Sequence, residues 1–242
     1  MRELPEQVIV APRFRGPPTS GNGGYVGGLL ARRMTAPAAV TFRLPTPLGR
    51  ALTIVPAPEG GLTLQDGVAV VVEARPAELE LTVPPAPALD VCEAASASGG
   101  SFAGSEFSGC FSCGRQHPNG LGVFAGAVPG SDLVASVWVP SPDLADSRGH
   151  VAVEYIWSAL DCSGAIALSQ GQSPKSMLTG RMTGAVDADL APGLPYRVIG
   201  WPIGGAGRKW FSGTAIVDPD GRVRGKIMAT WIVLREPKGA AD

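Results

Sequence analysis

The sequence predicts an α+β fold built twice, with each half folded as an antiparallel sheet wrapped around a central helix. Each half contains one helix candidate and a series of strand-like runs. The 33 glycines and 23 prolines indicate many turns and few long helices. Asp66-Gly67 and Asp220-Gly221 each separate two apolar runs, which predicts two tight hairpins. One helix followed by an antiparallel meander, twice over, indicates an internal duplication.

The first half begins with its helix candidate, at about residues 24–34. Strand-like runs follow at 40–44, 51–55 and 61–74, the last of them interrupted by the Asp66-Gly67 pair. This order predicts one helix and then a meander of paired strands.

The second half places its helix candidate, residues 151–168, between two groups of strand-like runs. The candidate is apolar on nearly all sides, so we expect its surroundings to enclose it. A sheet that curls around one central helix meets this requirement, although an unrelated α+β arrangement stays open. The strand-like runs of this half are 123–128, 133–139, 176–186, 196–201, 209–217 and 222–234.

Residues 84–109 have the composition of a linker, with few large apolar residues and much Ala, Ser, Gly and Pro. We therefore predict a first repeat at 1–83 and a second repeat at 110–242, joined by this segment.

Bulk composition excludes several classes of protein. A formal net charge of −1 gives no electrostatic basis for binding nucleic acid or an anionic membrane. No apolar run reaches the length of about 18 residues that a membrane-spanning helix needs. The N-terminus lacks the basic-then-apolar layout of a signal peptide, so we expect a cytoplasmic protein. Four cysteines are too few for a disulfide scaffold of this size.

The stretch GNGGYVGGLL (21–30) contains five glycines at the start of the first helix candidate. A dinucleotide fingerprint is excluded because Val26 stands where its third glycine should fall, and no Walker G-K-[ST] occurs. Two interpretations remain: an anionic or carbonyl group approaches the backbone amides, or the glycines form a turn that lets a helix pack tightly.

Asp161 lies deep in the apolar second helix candidate, in SALDCSGA. An ionised carboxylate in such surroundings is costly unless it is paired or used. Either it bonds a backbone group or an arginine and stabilises the helix, or it performs chemistry. Glu154, two turns earlier, shares a helix face with Trp157, Ser158 and Asp161.

Cys110-x-x-Cys113 followed by His117 has zinc-like spacing but needs a fourth ligand. Only the fold could supply one, from Cys92, Cys162 or His150. A second C-x-x-C motif is absent, so we favour a structural turn that opens the second repeat with free thiols, and we predict no metal.

Three motifs together resemble the hotdog-fold thioesterase superfamily. GNGGYVGGLLA (21–31) resembles the glycine turn of acyl-CoA thioesterases with two hotdog repeats, and SALD (158–161) resembles the segment that carries their catalytic aspartate. GCFSCGRQHPNGLGVF (109–124) resembles the opening of single-hotdog thioesterases of the phenylacetyl-CoA type. The resemblance implies a tandem, or double, hotdog.

The resemblance also implies a function, the hydrolysis of an acyl-CoA or acyl-carrier thioester at one composite site between the repeats. Gly23 and Gly24 would polarise the thioester carbonyl, and Asp161 would be the general base or nucleophile. Coenzyme A would enter as part of the substrate and no cofactor is expected. A dimer of double hotdogs is a further expectation.

We also expect a set of substrate-binding residues around these three. The water-holding Thr and Gln of related enzymes align roughly with Gly204 and Thr230, neither of which is the expected residue, and Ser158 or Ser163 is a substitute. The full set of expected substrate-binding residues is Asn22, Tyr25, Trp157, Ser158, Thr230, Arg208 and Lys209.

Each of these expectations has a rival. Arg208 and Lys209 either pair with coenzyme A phosphates or are solvated surface charges. The whole chain is either an enzyme or a non-catalytic protein that binds acyl-CoA or another small ligand. A hydratase or dehydratase is a third possibility, with His150 and Asp146 as its only candidate pair.

Overall fold

The computed structural model describes residues 6–34, 37–100, 106–170 and 177–234. They form one antiparallel sheet of eleven strands with four helices. None of these helices is long and apolar enough to cross a membrane. The elements are β1 (Glu6–Ile9), α1 (Gly23–Ala31), β2 (Ala38–Phe42), β3 (Ala51–Ala57), β4 (Gly61–Asp66), β5 (Ala69–Pro76), α2 (Leu89–Ser98), β6 (Gly126–Ala127), β7 (Val134–Trp138), α3 (Val153–Ala159), α4 (Cys162–Leu168), β8 (Met177–Val186), β9 (Tyr196–Ala206), β10 (Lys209–Val217) and β11 (Val223–Val233).

The strand order shows the duplication directly. The order is β1-β3-β4-β5-β2-β8-β11-β10-β9-β7-β6, so the five strands of the first half are mirrored by β8, β11, β10, β9 and β7, and β6 is added at the outer edge of the second half. The first strand after the central helix of each half meets its counterpart in the middle, where Val40 pairs with Met182. The predicted α+β class with antiparallel sheets is confirmed, and the two halves share one continuous sheet.

Both predicted hairpins form. β4 and β5 are joined at Asp66 and Gly67, and β10 and β11 at Asp220 and Gly221. Gly67 (φ 60°) and Gly221 (φ 85°) take the left-handed conformation that turn glycines adopt easily. β1 was not predicted, because its sequence EQVI does not alternate apolar and polar residues. Only Val8 of this strand is even partly buried.

The central helices α1 and α3 pack directly against each other. A side chain at Gly24 would place its Cβ 2.3 Å from the Trp157 carbonyl oxygen, and one at Gly28 would lie 2.4 Å from the Glu154 Cα. Only glycine permits this approach. One hydrophobic cluster then spans both halves, including Val26 of α1 and Ile156 of α3.

The predicted helix 151–168 is two helices, because the backbone tightens between them. The Asp161 amide bonds the Ser158 carbonyl three residues back, instead of four. Two carbonyls beside this break accept hydrogen bonds from side chains outside the helix. Ser112 Oγ donates to the Ser158 oxygen (2.7 Å) and Thr214 Oγ1 donates to the Leu160 oxygen (2.8 Å).

The segment 84–109, predicted as a linker, contains the ten-residue helix α2. Cys92 and Ala95 of α2 are buried against Ala135 and Ile199 of the second repeat's sheet. Small residues make up its buried face, so the segment lacked the large apolar residues that would have predicted a packed helix. Residues 101–105 of the segment lie outside the described part of the chain.

Candidate active site

The Asp161 carboxylate lies at the junction of α3 and α4 and is bound by groups from both repeats. Oδ2 accepts from the Gly24 amide (2.9 Å) and from Asn22 Nδ2 (3.0 Å) at the start of α1. Oδ1 accepts from Thr179 Oγ1 (3.1 Å) on β8. The side chain is 3% exposed. The helix break turns Asp161 away from its own helix and toward the N-terminus of α1.

Asn22 is the N-cap of α1 and fixes the orientation of this network. Its Oδ1 accepts from the Tyr25 amide (2.9 Å), as an N-cap side chain does, and from Ser158 Oγ (2.9 Å). With the oxygen held on this side, the amide nitrogen of Asn22 points at Asp161. Asn22 and Ser158 therefore position the carboxylate, and both were among the predicted site residues.

Burial raises the pKa of Asp161 to about 6. Hydrogen bonds from the Gly24 amide, Thr179 and Asn22 favour the ionised form and offset part of that increase. The carboxyl can therefore exchange a proton near neutral pH, which suits a general base.

A cavity of about 400 Å³ opens beside the carboxylate. The charged residues among the described ones that line it are Asp161 and Glu106, both acidic. Gly23 also lines it, and within the described part of the chain the Gly23 amide donates no hydrogen bond. Its apolar wall is formed mainly by Pro17, Phe107, Ala165, Met177, Leu178 and Trp231.

Three cysteine thiols share the wall of this cavity with Asp161. The Sγ atoms of Cys110, Cys113 and Cys162 all lie within 4.8 Å of one another, and those of Cys110 and Cys162 are 3.6 Å apart. Hydrogen bonds from its two neighbours hold the pKa of Cys110 well below its usual range. Those donors are in turn harder to ionise, so the pKa of Cys113 and of Cys162 is raised.

Both predicted glycines lie at the site, but in different surroundings. The Gly24 amide is bound to Asp161, and Gly24 is packed against Trp157. Gly23 lines the cavity, and its amide has no hydrogen-bond acceptor among the described residues. The two interpretations of the glycine-rich stretch are therefore both realised, because it brings an anionic group to an amide and lets α1 pack against α3.

Two predicted substrate-binding residues belong to the core instead. Tyr25 stacks on Phe14 with ring centroids 3.9 Å apart and does not line the cavity. Trp157 is 1% exposed and packs under Gly27 and Gly184. Their aromatic rings are large enough that the core between the halves uses them for packing.

Three further predicted residues also lie outside the cavity lining. Thr230 pairs with Phe211 and Arg181 in the sheet, and its neighbour Trp231 is the one that lines the cavity. Arg208 lies in the β9–β10 turn, where its Nε donates to the Val233 carbonyl (2.9 Å), and Lys209 begins β10.

Thr179 was missed by sequence reasoning. The rough alignment placed the water-holding residues of related enzymes near Gly204 and Thr230, whereas the hydroxyl that contacts Asp161 is that of Thr179. Nothing in the local sequence around Thr179 marks it, since the contact depends on where β8 passes the helix junction. Ser163, considered as a substitute, has a buried Oγ with no hydrogen-bond partner among the described residues.

The histidines lie away from the carboxylate. His117 uses both ring nitrogens, with Nε2 bonded to the Arg13 carbonyl (2.7 Å) and Nδ1 accepting from the Asn119 amide (3.1 Å). The His150 amide donates to Asp146 Oδ1 within one loop, and neither residue lines the cavity. The structure therefore does not bring a hydratase-like Asp/His pair to Asp161.

The position that corresponds to this site in the duplicated fold holds an ion pair. Isolated bridges Arg15–Gly21 and Ala145–Val151 precede the two central helices at the same spacing, so Glu154 corresponds to Gly24. Glu154 Oε1 accepts from Arg32 Nη1 at 2.8 Å. The acidic residue Glu154 therefore occupies the position that Gly24 has in the first repeat. The basic residue Arg32 follows Ala31, and Ala31 corresponds to Asp161.

A scan of the sequence against protein-family models finds no match, and no curated protein is significantly similar to it.

Solved structures resemble the fold over almost the whole chain. A hotdog-fold protein from Alicyclobacillus acidocaldarius is 12% identical, covers 98% of this chain and 96% of its own, and has a TM-score of 0.63. A candidate thioesterase from Novosphingobium aromaticivorans is 14% identical, with 95% of each chain covered and a TM-score of 0.63. The tesB protein of Mycobacterium avium subs. paratuberculosis is 12% identical, covers 95% and 92%, and has a TM-score of 0.61. The chain thus has the double hotdog fold that its motifs predicted.

Proposed function

We propose that this chain is a thioesterase that hydrolyses an acyl thioester at one composite site between its two repeats. One observation carries the proposal. The Asp161 carboxylate of the second repeat binds the amide of Gly24 (2.9 Å) at the start of the first repeat's helix, on the wall of an apolar cavity. A base, amide donors and a space for an acyl group therefore meet at one place.

The amide of Gly23 would polarise the substrate. Gly23 lines the cavity and is the first residue of α1, where the helix dipole favours negative charge on a ligand oxygen. The thioester oxygen gains that charge as water attacks, so the hydrogen bond strengthens in the transition state. We assign this role to Gly23, because Asp161 already binds the amide of Gly24.

Asp161 would act as the general base. It would take a proton from water while the water oxygen bonds to the carbonyl carbon, and the resulting tetrahedral intermediate would expel the thiolate. The proton then neutralises the leaving thiolate, so the products are a carboxylic acid and a free thiol. Thr179 and Asn22 hold the two oxygens of Asp161 and would fix the direction in which it accepts the proton.

The cavity indicates the class of acyl group. Its wall is mainly apolar, and the charged residues among the described ones that line it are acidic. A carboxylate or phosphate on the acyl group would be repelled, so we propose an uncharged acyl chain, delivered as the coenzyme A or acyl-carrier thioester. Two of the similar structures carry names associated with this chemistry, the candidate thioesterase and the tesB protein.

The test is hydrolysis of a series of acyl-CoA thioesters of increasing chain length, monitored as the loss of thioester absorbance. Asp161→Asn keeps the shape of the side chain and removes the base. Loss of one general base should lower kcat by roughly 10²- to 10⁴-fold. KM should change little, since the cavity wall is unchanged.

Asp132→Asn is the matched control, because the same substitution there changes an exposed residue. It should retain wild-type kcat. If wild-type protein binds acyl-CoA tightly and hydrolyses none of the series, the chain is a binding protein and the proposal is wrong. Equal turnover by wild type and Asp161→Asn would also contradict it.

A further inference from the structure

The geometry points to a second site on the same cavity, a metal site for Zn²⁺ formed by the thiols of Cys110, Cys113 and Cys162. The three Sγ atoms converge from two separate segments of the chain, and all lie within 4.8 Å of one another. The motif analysis predicted no metal because the C-x-x-C pair lacked further ligands. Of the three residues considered then, the fold brings Cys162 to the pair and leaves Cys92 and His150 elsewhere.

The sulfur spacing suits a tetrahedral zinc. With Zn–S bonds of about 2.3 Å, sulfurs at tetrahedral angles lie about 3.8 Å apart. The observed separation of Cys110 Sγ and Cys162 Sγ is 3.6 Å, and the Cys113 Sγ lies within 4.8 Å of both. Three thiolates select thiophilic ions such as Zn²⁺ over Mg²⁺ or Ca²⁺.

The fourth ligand would come from outside the chain. Among the described residues the convergent group contains no carboxylate or imidazole. His117 is bound through both ring nitrogens, and the Asp161 oxygens are held by Gly24, Asn22 and Thr179. All three cysteines line the cavity, so a water or a small thiol would complete the tetrahedron. Three protein ligands with one open position is the arrangement of reactive rather than purely structural zinc sites.

One neighbouring group favours a thiolate at Cys110. Asn22 Nδ2 lies 3.7 Å from Cys110 Sγ and donates toward it. Each thiol that binds zinc releases its proton to the solvent, so binding neither oxidises nor reduces the protein. The proposal depends on the thiols alone and does not require that the chain hydrolyse thioesters.

The experiment measures zinc in the full chain, purified under a phosphine reductant and titrated with Zn²⁺ against a chromophoric chelator. We expect one equivalent of zinc per chain. Titration with Co²⁺ should give a strong thiolate-to-cobalt charge-transfer band. Cys110→Ser, Cys113→Ser and Cys162→Ser should each weaken zinc binding by more than the roughly 10- to 100-fold that loss of an outer-shell partner costs.

Cys92→Ser is the matched control. Cys92 is buried, as Cys110 and Cys113 are, but it lies on α2 in a separate apolar cluster, so this variant should bind zinc as the wild type does. Zinc should also raise the Tm of the wild type and of Cys92→Ser, and leave that of Cys162→Ser unchanged.

Two results would overturn the proposal. One is a wild-type chain that takes up less than one equivalent of zinc and shows no charge-transfer band with Co²⁺. The other is a folded Cys162→Ser variant with unchanged zinc affinity, which would show that the metal binds elsewhere. If Cys162→Ser fails to fold, the Co²⁺ spectrum of the wild type still decides the question.

Discussion

At the scale of single residues, Gly23 and Gly24 differ in what a side chain would meet. A Cβ at Gly24 would lie 2.3 Å from the Trp157 carbonyl oxygen, which belongs to rigid helix backbone. A Cβ at Gly23 would lie 3.1 Å from Thr179 Oγ1 and 3.3 Å from Asp161 Oδ2. The first position limits the packing of α1 on α3, and the second limits the space at the carboxylate.

We therefore predict that Gly24→Ala and Gly23→Ala fail in different ways. Gly24→Ala should lower the free energy of unfolding by about 3 kcal/mol or more, because the two helices must separate. Gly23→Ala should fold with nearly wild-type stability and lose about 10²-fold in kcat, since its methyl group displaces the reacting groups by a few tenths of an ångström. Chemical denaturation and acyl-CoA kinetics measure the two effects.

The opposite pattern would contradict this division. If Gly23→Ala were fully active, the amide of Gly23 could not lie against the substrate as proposed. If Gly24→Ala were as stable as the wild type, the close packing of α1 on α3 would be wrong.

Sequence reasoning found Asp161 and the glycines but not Thr179. A carboxylate within an apolar helix, or glycines at a helix start, are local features that single residues reveal. The hydroxyl that contacts Asp161 comes from a strand whose position depends on the whole sheet, so no local pattern marks it. Cys162 was predicted in part, because its residue type made it a candidate ligand but only the fold placed it beside Cys110.

At the scale of elements, the break between α3 and α4 is stabilised from outside the helices. The Leu160 carbonyl, which loses its helical partner at the break, accepts from Thr214 Oγ1 at 2.8 Å. Thr214 is fully buried, so no water can replace its hydroxyl. The direction of Asp161 therefore depends on a side chain of β10.

Thr214→Val should expose this dependence. The Leu160 oxygen would be left buried without its partner, which costs about 1–3 kcal/mol of the free energy of unfolding. Thr230→Val is the control, because its hydroxyl makes no hydrogen bond within the described part of the chain, and it should stay within about 0.5 kcal/mol of the wild type. Urea denaturation of both variants measures the difference, and equal stability would show that the break does not need Thr214.

The elements also show where pattern reasoning stops. The two Asp-Gly hairpins were predicted correctly because a tight turn is encoded in adjacent residues. The helix α2 was not, because its buried face consists of residues such as Cys92 and Ala95, which leave little apolar signal in the sequence. The break at Leu160 was not predicted either, because apolar residues continue on both sides of it within 151–168.

At the scale of the whole molecule, the duplication does not produce two equal sites. The repeat order in the sequence predicted the two halves, and the mirrored strand order confirms that prediction. Arg32 and Glu154 pair at 2.8 Å in the position that corresponds to Gly24 and Asp161. Glu154 is 7% exposed, and its Oε2 is buried without a hydrogen-bond partner in the part of the chain that the structure describes. This position therefore presents a charge where the other presents an amide donor.

We predict that each chain binds one acyl thioester. Titration calorimetry with a non-hydrolysable thioether analogue of acyl-CoA should give one equivalent per chain. Gly23→Ala should weaken that binding, whereas a substitution at Arg32 should leave the stoichiometry at one. Two equivalents of similar affinity would mean that the Arg32–Glu154 position also accepts substrate.

The pairing of β2 with β8 at the centre of the sheet has one more consequence. When two halves of a site come from separate chains, dilution dissociates the chains and the site is lost. Here Asp161 and Gly24 are tethered by a single backbone and clamped by neighbouring strands, so their effective concentration is set by the molecule itself. The cavity beside these two residues therefore forms within each chain at any protein concentration.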